Sequence, residues 1–193
     1  MRERFVEEAL VLIDRGLGSR GVNLREVARS VGCAHTNAYN YFDSLDELLG
    51  ECLHAAFERQ YQYSKRATAK ALEDPWKTVE LLVESQVEFA LAHPGWYLFV
   101  WIEPLRGALP PRMLPLMQQA SFELVELVRA LATRRLSVSR ATQVVEDFHN
   151  HLHGALCKAV AGRVPEVPRA ELRRLVTSNS RRVLRTLVSG RQR

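Results

Sequence analysis

The sequence predicts an all-α protein of about nine helices, with an N-terminal three-helix helix-turn-helix unit followed by a larger C-terminal helical part. Three observations predict it. Apolar residues recur at i, i+3, i+4 and i+7 in one segment after another, the period of a helix with one buried face. Start signals such as Asn23, Asp74-Pro75 and Ser137 or Ser139 precede those segments, and Gly32 and Gly162 close two of them. Within these all-helical surroundings the short aromatic run 96–102, a buried strand on composition alone, reads as a short buried helix ending before Pro104.

The first helix spans about Arg2 to Arg15, with Phe5, Ala9, Leu12 and Ile13 inward and Gly16 and Gly18 stopping it. In the second, Leu24, Val27, Ala28 and Val31 form the apolar stripe. Asn23 and Glu26 frame its start as a capping box in which Asn replaces Ser or Thr. Gly32 ends it where a left-handed residue is needed. Cys33 and Ala34 complete a turn into a short helix from His35 to Tyr41. Ala38 and Phe42 look inward with Tyr39 beside them, which leaves His35, Thr36, Asn37, Asn40 and Tyr41 outward. A two-turn helix, a glycine turn and a second short helix make a helix-turn-helix. Its outward face offers hydrogen-bonding groups suited to base edges and phosphates in a major groove; a polar-faced helical hairpin is the bland alternative.

Gly32, the Ala38-Tyr39-x-Tyr41-Phe42 run, Ser44 and Glu47-Leu48 resemble the DNA-binding domain of TetR (tetracycline-repressor) family transcriptional regulators over roughly residues 5 to 52. The resemblance implies a dimeric all-helical regulator with a ligand pocket in its C-terminal part. This chain departs from the pattern at three places. Ala34 stands where the family commonly caps with Ser or Thr, Leu45 where a Lys commonly meets a phosphate, and His35 where a Lys is frequent.

Beyond Asp43-Ser44 a long helix runs from about Leu45 to Leu72, and Asp74-Pro75 opens the next, to Ala92. His93-Pro94-Gly95 breaks the chain before the aromatic helix, and the loop from Pro104 to Pro111 is its least regular part. Helices follow from about Arg112 to Thr133, to Ala161 after Ser137 or Ser139, and to about Val188, the last after a linker bracketed by Pro165 and Pro168 and before Gly190. Residues 1–50 are expected to form the DNA-binding domain and residues 51–193 the effector-binding and dimerisation domain.

Composition bounds the function. Hydrophobic content of 47% with 25% charged residues is that of a globular protein, and no apolar run reaches the roughly 18 residues of a membrane span. Glu7, Glu8 and Asp14 interrupt any secretory signal. Three cysteines, Cys33, Cys52 and Cys157, suit a reducing cytoplasm. The net charge of +5 is unevenly spread, for residues 1–73 hold ten Lys or Arg against eleven Asp or Glu. Arg2, Arg4, Arg20, Arg25 and Arg29 are therefore the permanent cations near the motif, and Arg2 and Arg4 either reach a phosphate or a minor groove or belong to a solvated N-terminus.

In the C-terminal half, Trp96, Tyr97, Phe99 and Trp101, with Met113, Met117, Phe122 and Phe148, suit a pocket for an apolar or aromatic small molecule. Glu103 is a surface carboxylate or the partner of a cationic ligand. Val145, Phe148, Leu152, Leu156 and Ala159 form a wide apolar band for a helix pair that, in the family, meets its two-fold mate. Gly154, in mid-helix, predicts a close helix approach, and the arginines of the last helix form a solvated or partner-facing row. His149, His153 and Cys157 lie at i, i+4 and i+8, but one straight helix cannot wrap three ligands round one ion, so no metal and no cofactor is assigned. No Ser–His–Asp order, glycine-rich phosphate loop or paired carboxylate setting points to catalysis.

The expected function is a ligand-responsive repressor that binds a palindromic operator as a homodimer. Arg25, His35, Thr36, Asn37, Tyr39, Asn40 and Tyr41 are the expected DNA contacts, and Trp96, Tyr97, Phe99, Trp101, Met117, Phe148, His149 and His153 the expected effector contacts. The rival is a helical dimeric small-molecule-binding protein or enzyme with a weakened DNA face, using the His149, His153 and Cys157 surface.

Overall fold

A computed structural model describes residues 1–71, 73–164 and 166–189, and every regular element among them is helical. The expected helix end at Leu72, Pro165 of the linker and the stop at Gly190 lie outside the described residues. The order is α1 (Arg2–Arg15), α2 (Leu24–Val31), a 3₁₀ helix (His35–Asn40), α3 (Leu45–Thr68), α4 (Pro75–Ala92), α5 (Pro94–Trp101), α6 (Met113–Leu131), α7 (Val138–Val160) and α8 (Arg169–Ser189). A second 3₁₀ turn, Ala69–Ala71, follows α3.

Local signals set most boundaries. Asn23 Oδ1 accepts from the Glu26 amide at 2.9 Å, satisfying one of the free donors at the start of α2. Gly32 closes α2 at φ 82°, a left-handed conformation that a side chain would strain. Ser44 Oγ takes the Glu47 amide at 3.1 Å at the head of α3. Asp74 Oδ1 takes the amides of Trp76 and Lys77 at the head of α4, and Ser137 Oγ takes that of Arg140 at the head of α7.

The chain divides into two compact units. One contains Met1–Gln60 and Ala92–Leu116, so the helix-turn-helix shares its unit with α5 and the proline loop. Its core joins Phe5, Leu10 and Ile13 of α1, Val27 and Ala28 of α2, Ala38, Phe42, Leu48 and Cys52, and Tyr97 of α5. α5 lies hard against α1. Gly95 N donates to Asp14 Oδ1 at 3.0 Å, His93 Nδ1 lies 2.9 Å from Asp14 Oδ2, and Trp96 Nε1 donates to the Leu10 carbonyl at 2.8 Å. Glu103 is half-buried, and its oxygens accept from the amide and hydroxyl of Ser19 at 2.8 and 2.5 Å.

The other unit contains Tyr61–Leu91 and the chain from Met117 onward. Val79, Val83 and Val87 of α4, Val144, Phe148, Leu152 and Leu156 of α7, and Leu172, Val176 and Leu184 of α8 are buried in it. Of the α8 arginines expected as a solvated or partner-facing row, Arg174, Arg182 and Arg185 are exposed, whereas Arg173 pairs with Glu88 and Arg181 with Glu80 on α4. Trp76 carries the guanidinium groups of Arg181 and Arg185 at 5.5 and 5.2 Å from its ring centroid. Gly154 is exposed with nothing within 4 Å, so no close helix approach within the described chain explains it.

A helix-turn-helix surface with a two-helix groove

The segment expected as a helix from His35 to Tyr41 closes as a 3₁₀ helix ending at Asn40. Ala34, at its N-cap, has no side-chain oxygen to take a free amide, and the segment tightens onto i→i+3 bonds such as Asn37 N to Ala34 O at 2.9 Å. Three residues per turn then decide which way each side chain faces. Tyr41 falls beneath Ala38, half-buried, its ring centroid 5.7 Å from that of Phe5. Tyr39 swings out instead and is 55% exposed. The expected positions of these two tyrosines are thus exchanged.

His35, Thr36, Asn37, Tyr39 and Asn40 form one exposed polar row, and Arg25 is exposed on α2. Asn40 Nδ2 donates to Asn37 Oδ1 at 2.8 Å, leaving Asn40 one N–H donor and its amide oxygen for a base edge. The His35 ring meets Tyr39 edge-on at 6.3 Å. Beside this row lies an open groove of about 470 Å³ lined by Asn23, Leu24, Arg25, His35, Tyr39, Asp43, Ser44 and Leu45. The groove takes in the N-terminal ends of both α2 and α3, where unpaired backbone amides and the helix dipole favour an anion.

Arg2 and Arg4 are not directed to a phosphate or a minor groove. Arg2 pairs with Glu47 at 2.7 Å and Arg4 donates to the Val31 carbonyl at 3.1 Å. Hydrogen bonding to Glu47 holds the Arg2 pKa up, and the same bond, with that from the Asp43 amide, holds the Glu47 carboxyl below its ordinary range.

The expected effector residues fall in both units. Trp96, Tyr97, Phe99 and Trp101 belong to the first. Tyr97 is fully buried, Phe99 nearly so, and Trp101 Nε1 donates to Gln60 Oε1 at 2.9 Å with its ring 5.8 Å from Phe57. Met117, Phe148, His149 and His153 belong to the second. Phe148 is buried, whereas Met117 and Phe122 are exposed at 40% and 65%. The rings of His149 and His153 meet edge-on at 5.6 Å. Burial lowers both pKa values, that of His153 to about 4 with the neighbouring His149 adding to the shift, so neutral imidazoles are favoured there. No group of three or more metal-ligating side chains suited to an ion occurs among the described residues.

A second groove, about 310 Å³, lies between α3 and α4 in the second unit, walled by Tyr63, Arg66, Lys70, Leu81, Glu84 and Glu88 among others. None of the expected effector residues lines it. Its sequence signal is a pair of matching helical rows, Tyr63, Arg66 and Lys70 at i, i+3 and i+7 and Leu81, Glu84 and Glu88 at the same spacing. Tyr63 Oη donates to Glu88 Oε2 at 2.9 Å across the groove. No helix among the described residues is long and apolar enough to cross a membrane.

No sequence-family model matches the chain, and no curated protein matches it in sequence. Solved structures do match its fold. A protein of unknown function from Rhodococcus sp. RHA1 superposes with a TM-score of 0.79 at 20% identity, over 97% of this chain and 95% of that one. A TetR-like transcriptional regulator from the same organism gives 0.67 at 15% identity, over 98% and 97%. A TetR variant from Acinetobacter baumannii AYE, solved in complex with minocycline, gives 0.65 at 13% identity, over 94% and 92%. The chain therefore has the all-helical fold of the TetR-family transcriptional regulators along nearly its whole length.

Proposed function

We propose that this chain is a cytoplasmic, ligand-responsive transcriptional repressor that binds a palindromic operator as a homodimer. Residues 1–50 read the DNA, and residues 51–193 bind the effector and the partner copy. The observation that carries the reading is the exposed row His35, Thr36, Asn37, Tyr39 and Asn40 beside a groove headed by two helix N-termini. That combination supplies base-edge hydrogen bonds and a phosphate seat side by side. Asn40, Asn37, His35 and Thr36 meet base edges or their neighbours. Arg25 and Tyr39 meet phosphate, and Tyr41 contributes from the rim of the same surface. In the dimer the two surfaces enter successive major grooves about 34–36 Å apart.

The effector is an apolar or aromatic small molecule, with Met117, Phe148, His149 and His153 of the second unit as its contacts. It releases DNA only by binding one conformation of the dimer more tightly than the other. Minocycline in the Acinetobacter structure is a precedent for a ligand on this fold. The chain has no enzymatic role in this reading.

Two substitutions test the DNA reading. Asn40→Ala should change base preference at one position of each half-site, by about 1–3 kcal/mol. Arg25→Ala should weaken binding to all sequences and lower the salt slope by roughly 0.9 for each arginine removed. Uniform loss from Asn40→Ala would sink the assignment of Asn40 to a base edge.

A further inference from the structure

Arginines beside a DNA-reading surface are ordinarily assigned to phosphates, and Arg2 and Arg4 have that look in the sequence. Their guanidinium groups reach instead to the C-terminal ends of the helix-turn-helix helices, one to each. Arg4 Nη2 donates to the carbonyl of Val31, the last residue of α2, at 3.1 Å. Arg2 Nη1 donates to the carbonyl of Tyr41, which ends the His35–Asn40 helix, and the same group lies 4.3 Å over the Phe42 ring. Its Nη2 reaches Glu47 Oε1 at 2.7 Å and Glu51 Oε1 at 3.4 Å.

Both anchors are fixed in turn. The second oxygen of Glu47 takes the Asp43 amide at 2.6 Å, and Arg112 holds the second oxygen of Glu51, whose side chain is only 15% exposed. Carbonyls at a helix C-terminus lack intrahelical donors, and a cation there is favoured by the helix dipole. A planar guanidinium can hold a carbonyl, a carboxylate and a ring face together, which an ammonium point charge cannot.

We propose that Arg2 and Arg4 are positioning residues rather than phosphate contacts: they clamp the C-terminal ends of the two helix-turn-helix helices onto α1 and, through Glu47 and Glu51, onto α3. The angle at which Asn37 and Asn40 meet the groove of the DNA is set by this clamp. The inference rests on the DNA-reading function proposed above, and it separates from it experimentally.

The test compares wild type with Arg2→Met, Arg2→Lys, Arg4→Met and Arg25→Met on two duplexes across a salt series. One duplex is that enriched by the wild-type chain from random-sequence DNA, and the other is its scrambled counterpart. Arg2→Met should bind the enriched duplex about tenfold more weakly, the size expected for one charge-assisted hydrogen bond. Its affinity for the scrambled duplex and its salt slope should not change. Arg4→Met should behave likewise, and Arg2→Lys, which keeps the charge, should not restore the loss. Arg25→Met should weaken both duplexes and reduce the slope. Equal loss on both duplexes with a reduced slope, or rescue by Arg2→Lys, overturns the proposal.

A second readout needs no DNA. The amides of Tyr41 and Phe42 both donate to the Ala38 carbonyl at 3.0 Å. Their hydrogen exchange should quicken about tenfold in Arg2→Met, the same lost bond read locally, while amides of α8 stay unchanged. Unchanged exchange at both positions overturns the clamp. Should no duplex be enriched, the DNA-reading function fails, and the exchange measurement still decides the clamp.

Discussion

Replacing Gly95 by alanine isolates the contact that joins α5 to the helix-turn-helix unit. A Cβ at this position would stand 2.3 Å from the Ile13 carbonyl oxygen, 2.5 Å from Asp14 Cα and 2.7 Å from the Asp14 carbonyl oxygen. All three are backbone atoms, so no side chain can rotate away and α5 must lift from the end of α1. Overpacking of this kind costs about 1–3 kcal/mol. Lifting also stretches Gly95 N to Asp14, His93 to Asp14 and Trp96 to Leu10, each worth about 1 kcal/mol. Alanine returns at most about 1 kcal/mol through helix propensity. The net expectation is a destabilisation of about 3–6 kcal/mol, read as a lower urea midpoint at fixed protein concentration. Trp96 fluorescence should change with it, because His93 stacks on that ring at 4.2 Å. A midpoint equivalent to a change under about 0.5 kcal/mol would refute the close approach.

Two further outcomes follow from the second unit. Burial lowers the His153 pKa from 6.5 to about 4, so the unfolded chain binds this proton at a higher pH than the folded one. Folding therefore carries no penalty from this group above pH 6.5, and as pH falls from 6.5 towards 4 stability is lost, by about 2–3 kcal/mol at pH 4.5. Urea midpoints at pH 7 and 4.5 should show that much less acid loss in His153→Gln; equal loss in both proteins would contradict it. Gly154 faces open space in the single chain, so in the proposed homodimer a close approach there would come from the partner copy. Gly154→Ala should raise the dimer dissociation constant in sedimentation equilibrium while leaving helix content intact. Unaltered association would remove that position from the interface.

Signals carried by neighbouring residues were legible in the sequence. Asn23 and Gly32 frame α2, Asp74-Pro75 starts α4, and one of the two candidate serines, Ser137, caps α7. Each depends on a side chain and amides within a few residues, so spacing alone reveals it. The recognition segment shows where a period fails: a missing cap at Ala34 tightens the helix, and the change from 3.6 to 3 residues per turn exchanges Tyr39 and Tyr41. Contacts distant in sequence left no pattern at all. Arg2 meets Glu47, Glu103 meets Ser19, and Arg181 meets Glu80 across 45, 84 and 101 residues. Glycine shows the same divide. The sequence points to a close approach at mid-helix Gly154, whereas the tight approach is at Gly95, whose partner lies in α1.

Selection of random duplex DNA by the purified protein, read at low and moderate salt, tests the central claim most directly. The account predicts enrichment of a palindrome whose half-sites lie about one helical turn apart, with the preference altered by Asn40→Ala at one position of each half. A folded protein that enriches no sequence at either salt would contradict it, and would direct the search to ligands and to the His149, His153 and Cys157 face of α7.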